Sequence, residues 1–328
     1  MTQTLLTSSP RVIEQIDWKG RAVSILPLAV LVVLVLIVTS QQPNFVGIAS
    51  VRGLLESMAP ILLLALGQMF VILTGGIDLS FAVTASFGTV LLALWIPELG
   101  ALGVLAMLAT TTLIGLINGF VIAKAQIPSF IATLGALGLY SGLGLAISGA
   151  STIRISTGYE AIGWITDLRV AQLPLSALLV IVVAIVISVA MRVLASGKSF
   201  HAIGLAEKAL LMSGGSTVRI RILAFTLCGL FSGLAGVMLA ASQRSGGPTL
   251  ADSLQLPAIA AVVIGGTAIT GGVGGAIKTL IGALIIVMLR VGLSAVGVDP
   301  SFEQIVYGVV IIAAVVLTID RSRIGVVK

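Results

Sequence analysis

The chain has 328 residues, of which 58% are hydrophobic and only 9% are charged. Soluble domains carry about 25% charged residues, so this composition excludes a soluble globular fold. The net charge of +6 does not indicate nucleic-acid binding, because the lysines and arginines stand in ones and twos between apolar segments, as they do beside membrane spans.

The elements predicted in chain order are apolar helices that cross a membrane. Such a helix needs about 20 mostly apolar residues, since its backbone polar groups must be satisfied within the hydrocarbon layer. Residues 1–22 are polar, carry both signs of charge and show no signal-peptide cleavage site, so they are predicted to form an uncleaved tail. Ten apolar segments follow, at residues 23–39, 51–74, 79–96, 100–123, 128–149, 174–193, 220–241, 257–275, 278–297 and 303–319.

The distribution of lysine and arginine predicts the orientation, because these residues are retained on the cytoplasmic side. With the N-terminus inside and ten crossings, most of the 18 basic residues fall on the inner side: Arg11, Lys19, Arg21, Lys124, Arg192, Lys198, Lys208, Arg219, Arg221, Lys278, Arg321, Arg323 and Lys328. Both termini are therefore predicted to be cytoplasmic. A single transmembrane domain covers residues 23–320, between the N-terminal tail and a second tail at 321–328. Two loops, 150–173 outside and 194–219 inside, are long enough to have roles of their own.

Glycine is unusually common, with 38 residues, many of them inside the apolar segments. Glycines four residues apart let two helix backbones approach closely. Such pairs occur at Gly115/Gly119, Gly138/Gly142, Gly229/Gly233 and Gly271/Gly275. Single pairs also arise by chance, but together they predict a compact, all-α bundle.

Two glycine-rich stretches, residues 71–80 and 260–275, are predicted to break or end helices. Such breaks free backbone amides and carbonyls that need protein or water partners, and they often line a path for polar solutes. Asp78 and Ser80 can also serve simply as helix N-caps. The residues predicted to line a path are Gln68, Thr74, Gly75, Gly76, Asp78, Ser80, Asn118, Gly265, Gly266 and Thr267.

The chain offers no energy source for pumping. An ion-coupled transporter usually needs a charged group near the midplane, and only Asp78 and Arg290 approach that depth. The Gly-x-x-x-x-Gly-Lys-Ser/Thr loop that binds ATP phosphates is also missing. A partner ATPase accounts for both features. We expect no cofactor or metal site in this chain: Cys228 reads as a small buried hydrophobe and His201 as a solvated loop residue.

Three motifs carry a resemblance to a known family. They are residues 76–80 (Gly-Ile-Asp-Leu-Ser), residues 127–134 (Ile-Pro-Ser-Phe-Ile-Ala-Thr-Leu) and residues 258–274, which end in a glycine cluster. Over residues 40–320 the chain resembles the permease subunits of bacterial ABC importers for monosaccharides, the ribose, arabinose, xylose and galactoside type. The resemblance implies a non-enzymatic transport subunit of the bacterial inner membrane. Its implied partners are an ABC ATPase that binds ATP and Mg²⁺, a periplasmic sugar-binding protein, and a second permease copy, identical or paralogous.

The resemblance also implies that loop 194–219 holds a short coupling helix that docks into the ATPase. The family pattern is close to Ala-Ile-Gly-Gly-Asn-Glu-x-Ala-Ala-x-x-x-Gly, and this chain departs from it at Leu205 and Ala206, which removes an expected side-chain hydrogen bond. The segment itself is helix-competent, closed by glycine and rich in apolar residues, although an ordinary interfacial linker has the same features. The coupling residues implied are Ala202, Ile203, Gly204, Glu207, Leu210 and Gly214.

Three other functions stay open at this stage. A permease of the same superfamily for branched-chain amino acids or nucleosides shares the glycine-rich architecture. A self-contained carrier or channel is disfavoured by the scarcity of charges within the spans. A membrane-embedded enzyme is disfavoured because no nucleophile and base can be placed on one helix face.

Overall fold

The computed structural model describes residues 18–318. The predicted tail 321–328 lies outside the described residues, as do residues 1–17 of the N-terminal tail; the first helix already begins at Trp18. The described part forms twelve α-helices: α1 (Trp18–Gln41), α2 (Ile48–Leu73), α3 (Phe81–Leu99), α4 (Ala101–Ala125), α5 (Ser129–Ser148), α6 (Glu160–Asp167), α7 (Leu175–Val193), α8 (Ala195–Met212), α9 (Thr217–Gln243), α10 (Gln255–Ile264), α11 (Ala276–Ala295) and α12 (Glu303–Thr318).

Seven of these helices are long and apolar enough to cross a membrane: α2, α3, α4, α5, α7, α9 and α11. Three shorter apolar helices, at Leu26–Gln41, Asp252–Ile264 and Glu303–Val316, overlap the remaining predicted segments, the second of them only over residues 257–264. The prediction of an all-α, polytopic membrane protein is therefore confirmed. The number of crossings and the side on which the termini lie stay predictions.

Helix α2 is the central helix of the bundle. From Met58 to Leu73 every residue except Pro60 is buried, and the helix packs against α7, α9, α10 and α11. Apolar residues on all faces are typical of a helix surrounded by protein. Helix α5 is the opposite case, with only 17% of its apolar window buried. Its predicted pair Gly138/Gly142 has no atom of the described chain within 4 Å of an added Cβ.

Helices α4 and α9 approach closely through two of the predicted glycine pairs. A Cβ added to Gly115 would lie 3.0 Å from the Cα of Gly229, and one added to Gly119 would lie 2.9 Å from the Cα of Ile222. On the α9 side, a Cβ on Gly233 would collide with the α4 residue Thr111. Close backbone packing, as predicted, is therefore confirmed for these two pairs.

The predicted segment 257–275 is not one helix. Helix α10 ends at Ile264 after ten residues, and residues 265–275 form turns before α11 begins. The physical reason is the density of glycine, since Gly266, Gly271 and Gly272 all adopt positive φ angles of +78° to +92° that end a right-handed helix.

The loop between α5 and α7 carries small elements beside α6. Strand β1 (Ile153–Arg154) pairs antiparallel with β4 (Ser245–Gly246), and β2 (Arg169–Val170) forms a hairpin with β3 (Leu173–Pro174). The hydroxyl of Tyr159 donates to the Ala241 carbonyl at 2.9 Å. These contacts anchor the loop to the end of α9 and leave the fold class unchanged.

Candidate coupling and translocation site

The first glycine-rich stretch ends α2 in a Schellman cap. The amide of Gly76 donates to the Val71 carbonyl at 3.1 Å, and the amide of Gly75 donates to the Ile72 carbonyl at 2.9 Å. This motif requires a left-handed residue, and Gly75 has a φ of +77°. The Thr74 hydroxyl also donates to the Val71 carbonyl, at 2.7 Å. The freed backbone groups at this helix end thus find partners within the protein.

The backbone that follows this cap is tied down by side chains from two other helices. The amide of Ile77 donates to Ser129 Oγ and the amide of Leu79 donates to Thr133 Oγ1, both at 3.0 Å. From the other side, Gln255 Nε2 donates to the Leu79 carbonyl at 3.2 Å. The sequence-based path omitted all three side chains. Two hydroxyl residues four apart at the start of α5 are the signal that could have found two of them.

Asp78, Ser80 and Asn118 form a buried polar network, each of them less than 10% exposed. One carboxylate oxygen of Asp78 accepts from both the amide and the hydroxyl of Ser80 at 2.7 Å. Asn118 Nδ2 in turn donates to Ser80 Oγ at 3.1 Å. Ser80 occupies the N-cap position of α3, but its side chain makes no capping hydrogen bond. The network instead ties α4 to the turn between α2 and α3.

Gln68 lies in the core of the bundle, where Cys228 stands between it and Asp78. It is fully buried, and its Oε1 atom accepts a weak 4.0 Å contact from Cys228 Sγ on α9. Its Nε2 atom has no hydrogen-bond partner among the described residues. Cys228 is itself only 1% exposed, which agrees with its interpretation as a small core residue.

The second glycine-rich stretch ends α10 in the same kind of cap as α2. The amide of Thr267 donates to the Val262 carbonyl at 3.1 Å, and that of Gly266 donates to the Val263 carbonyl at 2.9 Å. Gly265 packs against the backbone at the start of α11, where an added Cβ would collide. Both predicted helix breaks, at the ends of α2 and α10, are thus formed by a Schellman cap.

The two breaks meet each other and α8 at one point. The amide of Gly272 donates to the Leu73 carbonyl at 2.9 Å. A Cβ added to Gly271 would lie 2.8 Å from the Gly75 nitrogen and 3.1 Å from the Gly204 Cα. A Cβ added to Gly204 would collide with backbone atoms of the other two segments. We call this set of residues (Leu73, Gly75, Gly204, Gly271 and Gly272) the glycine junction.

Most of the predicted coupling residues hold α8 against the bundle. Ile203 is 4% exposed, and Ala202 beside it is half-buried. Glu207 accepts from the Arg221 guanidinium of α9 at 2.8 Å. His201 is not the solvated loop residue that the sequence suggested: it lies in α8, half-buried, and its Nδ1 atom donates to a carbonyl of the glycine junction at 3.0 Å.

Helix α8 kinks at Ala206, whose φ of −158° and ψ of 80° are not helical. This is the position at which the family pattern has asparagine. The kink separates the first half of α8, which packs on the glycine junction, from the second half.

The second half of α8 exposes apolar side chains. Leu211 and Met212 are 52% and 90% exposed, and Leu205, immediately before the kink, is 53% exposed. Leu210 folds back over the end of the helix, which a further Schellman cap closes at Gly214, where φ is +82°. An exposed apolar patch beside a kink is a surface that a partner protein can bind.

A cavity of about 320 Å³ lies beside the first break. Thr74, Gly75 and Gly76 line it, together with residues 126–129 and the start of α9. The structure thus gathers these three predicted path residues on one cavity and joins Asp78, Ser80 and Asn118 in the adjoining network. Gly265, Gly266 and Thr267 form the second break, which reaches the first through the glycine junction.

Membrane-length helices and glycine-capped helix ends inside the bundle define a multi-pass membrane protein. The kinked helix α8, with its exposed apolar residues, offers that protein a candidate surface for a partner. A family model described as branched-chain amino acid transport system / permease component matches residues 50–315. The chain therefore belongs to this permease family.

Similar proteins with more specific descriptions cover almost the whole chain. The ribose import permease RbsC of Bacillus subtilis is 35% identical over 98% of this chain and 99% of its own length. RbsC of Escherichia coli K12 is 35% identical over 88% of this chain and 92% of its own length. The L-arabinose permease AraH of Azospirillum brasilense is 32% identical over 90% and 87%. The resemblance drawn from the sequence motifs is confirmed. No solved structure matches the chain.

Proposed function

We propose that the chain is the membrane-spanning subunit of an ABC importer that carries a monosaccharide. The relatives named for ribose and L-arabinose support the substrate class. The structural observation that carries the proposal is the glycine junction, where α8 directly contacts the end of α2 and the glycine-rich segment that follows α10.

The mechanism follows from that contact. A separate ATPase subunit, which holds ATP and Mg²⁺, binds the exposed apolar end of α8. Movement of α8 reaches the two capped helix ends through backbone contacts that leave no room for a Cβ atom. Because the capped end of α2 lines the cavity at Thr74–Gly76, a change in α8 shifts the balance between inward-open and outward-open states. The chain needs no catalytic residue for this role.

We further propose ten crossings, with both termini and α8 in the cytoplasm of a bacterium and the domain 23–320 in its inner membrane. The seven long helices and three shorter apolar ones together account for the ten crossings. Basic residues at the α8 end of the bundle, among them Lys124, Arg192 and Lys278, support this orientation.

In this proposal the path passes the first break, and the buried network around Asp78 holds that break in place. A periplasmic binding protein delivers the sugar on the opposite side. A second permease copy, identical or paralogous, completes the path. Gln68 and Thr267 each have a buried polar atom with no partner in the part of the chain that the structure describes, so they are the path residues best able to hold a water molecule.

The family description supplies the second candidate, a permease for branched-chain amino acids. To decide, the chain is reconstituted in vesicles with its ATPase and binding protein, and uptake of labelled D-ribose, L-arabinose and L-leucine is measured. ATP-dependent sugar uptake is expected. Uptake of leucine alone would support the second candidate, and sugar uptake without the ATPase would indicate a self-contained carrier.

Docking of the ATPase is tested separately. Replacing Leu211 and Met212 with serine should prevent co-purification of the ATPase. Val296→Ser is the matched control, since Val296 is 58% exposed but lies at the other end of α11. Unchanged co-purification of the double variant would contradict docking at this surface.

A further inference from the structure

A small cavity of about 150 Å³ lies between the end of α7, the start of α11 and the first half of α8. Arg192 of α7, His201 of α8 and Lys278 of α11 line it, and no acidic residue does. Within residues 18–318 the two ion pairs involve other residues, Arg221 with Glu207 and Arg290 with Glu303. Two permanent cations, Arg192 and Lys278, thus share one cavity with no acidic partner in the described chain.

The backbone adds to this positive potential. Helix α11 begins against the cavity, and its N-cap residue Gly275 has no side chain with which to cap the first amides. The first amides of a helix have no intrahelical partner and carry a partial positive charge. A polar side chain also lies close by: the hydroxyl of Thr267 is buried, has no hydrogen-bond partner within residues 18–318 and lies against Gly274 of the cavity wall.

Exposed apolar residues neighbour the cavity residues along α7 and at the start of α11. Ile277, which lines the cavity, is 37% exposed, while Val189 and Val193 on α7 are 55% and 71% exposed. A ligand suited to this arrangement has an anionic group for the cavity and hydrocarbon for the valines. A soluble anion would contact only the basic cavity and would leave the apolar valines uncovered.

We propose that this cavity binds the phosphate of an anionic phospholipid, with phosphatidylglycerol as the simplest example. Basic pockets between transmembrane helices at the cytoplasmic side are known to hold such head groups. The phosphate contacts Arg192 and Lys278 and faces the first amides of α11. The proposal requires that the chain spans a membrane, but it does not depend on the nature of the transported solute.

The site also has a consequence for coupling. Because Arg192 and Lys278 come from two helices and His201 of α8 lines the same cavity, a bound phosphate connects α7 to α11 and lies directly against α8. His201 links the same cavity to the glycine junction through its hydrogen bond to Gly272. A lipid bound in this site therefore stabilises the position of α8, the helix that the ATPase moves in the proposed mechanism.

The test uses the purified full-length chain in detergent and native mass spectrometry. Dioleoylphosphatidylglycerol is compared with zwitterionic dioleoylphosphatidylcholine. The variants are Arg192→Gln with Lys278→Gln and, as a matched control, Lys124→Gln with Arg219→Gln. The control removes the same charge from exposed residues at the same end of the bundle that do not line the cavity.

The wild-type chain and the control should retain phosphatidylglycerol in preference to phosphatidylcholine. The Arg192/Lys278 variant should bind phosphatidylglycerol about 30-fold more weakly, as expected from two basic contacts. Equal loss in the control variant would show diffuse surface attraction and overturn the proposal, as would equal retention of the two lipids by the wild type.

Two further measurements complete the test. Inorganic phosphate at millimolar concentration should not displace the lipid; if it does, the site takes a soluble anion and the lipid assignment is wrong. Should the double variant fail to fold, the single variant Lys278→Gln replaces it, with an expected loss of about fivefold. Unchanged binding by a folded single variant would overturn the proposal. None of these outcomes bears on sugar uptake, so they are distinct from failure of the proposed function.

Discussion

Replacing Gly204 with alanine should weaken the fold and uncouple ATP hydrolysis from uptake. The added Cβ collides with backbone atoms of Leu73, Gly271 and Gly272, none of which can move away by changing a rotamer. Either α8 lifts from the glycine junction or the junction opens. If the junction opens, the hydrogen bond between Gly272 and Leu73 is strained as well.

The expected change in the free energy of unfolding is the sum of two destabilising contributions and one stabilising contribution. Overpacking against fixed atoms costs about 3 kcal/mol, at the upper end of its usual range. Loss of the hydrogen bond between Gly272 and Leu73 would add about 1 kcal/mol. Alanine within a helix stabilises the folded state by about 1 kcal/mol relative to glycine. The free energy of unfolding should therefore fall by about 3 kcal/mol.

Two assays check this prediction. Thermal unfolding of the purified chain should show a lower melting temperature for Gly204→Ala. In vesicles, the complex should hydrolyse ATP while sugar uptake falls. The control is Gly53→Ala in α2, where no atom lies within 4 Å of the added Cβ and the helix should be unchanged or slightly stabilised. A Gly204→Ala chain with the melting temperature and uptake of the wild type would refute tight packing at the glycine junction.

Three further outcomes are expected. Asp78→Ala should lower the free energy of unfolding by about 2 kcal/mol because it removes two hydrogen bonds. Asp78→Asn should lower it less, since the amide oxygen still accepts a hydrogen bond. A lower melting temperature for Asp78→Asn than for Asp78→Ala would contradict the network. Glu207→Ala should cost no more than about 1 kcal/mol, because its pair with Arg221 is 34–40% exposed, and a larger loss on chemical denaturation would contradict this. Gly115→Ala should lower the free energy of unfolding by about 2 kcal/mol, whereas Gly138→Ala should leave it unchanged, because only a Cβ at Gly115 meets the backbone of another helix. Equal melting temperatures for the two variants would disprove the α4–α9 packing.

The sequence predicts the helices and their ends well for a physical reason. Hydrocarbon thickness fixes the length of an apolar segment, and glycine pairs such as Gly75-Gly76 supply the left-handed residue of a Schellman cap. The error at 257–275 comes from the same physics. The apolar run is long enough for one span, but glycines at 265, 266, 271 and 272 end the helix after Ile264.

The candidate site was predicted only in part, because its contacts join distant parts of the chain. The glycines and Asp78 were found through local motifs. The contact of Gly204 with Gly272 was not, since nothing in either local pattern specifies the other. Gln255, which supports the first break from α10, has no local signal at all.

The central position of α2 has a consequence for how the protein is made. Four of the helices that cover it, α7, α9, α10 and α11, follow it in the chain, so α2 enters the bilayer before they are synthesised. During that interval lipid chains occupy the places those helices later take. Its apolar residues on every face therefore serve two successive surroundings, first the membrane and then the protein. Gln68 is the costly exception, because its Nε2 atom finds no hydrogen-bond partner among the described residues even after the later helices have packed.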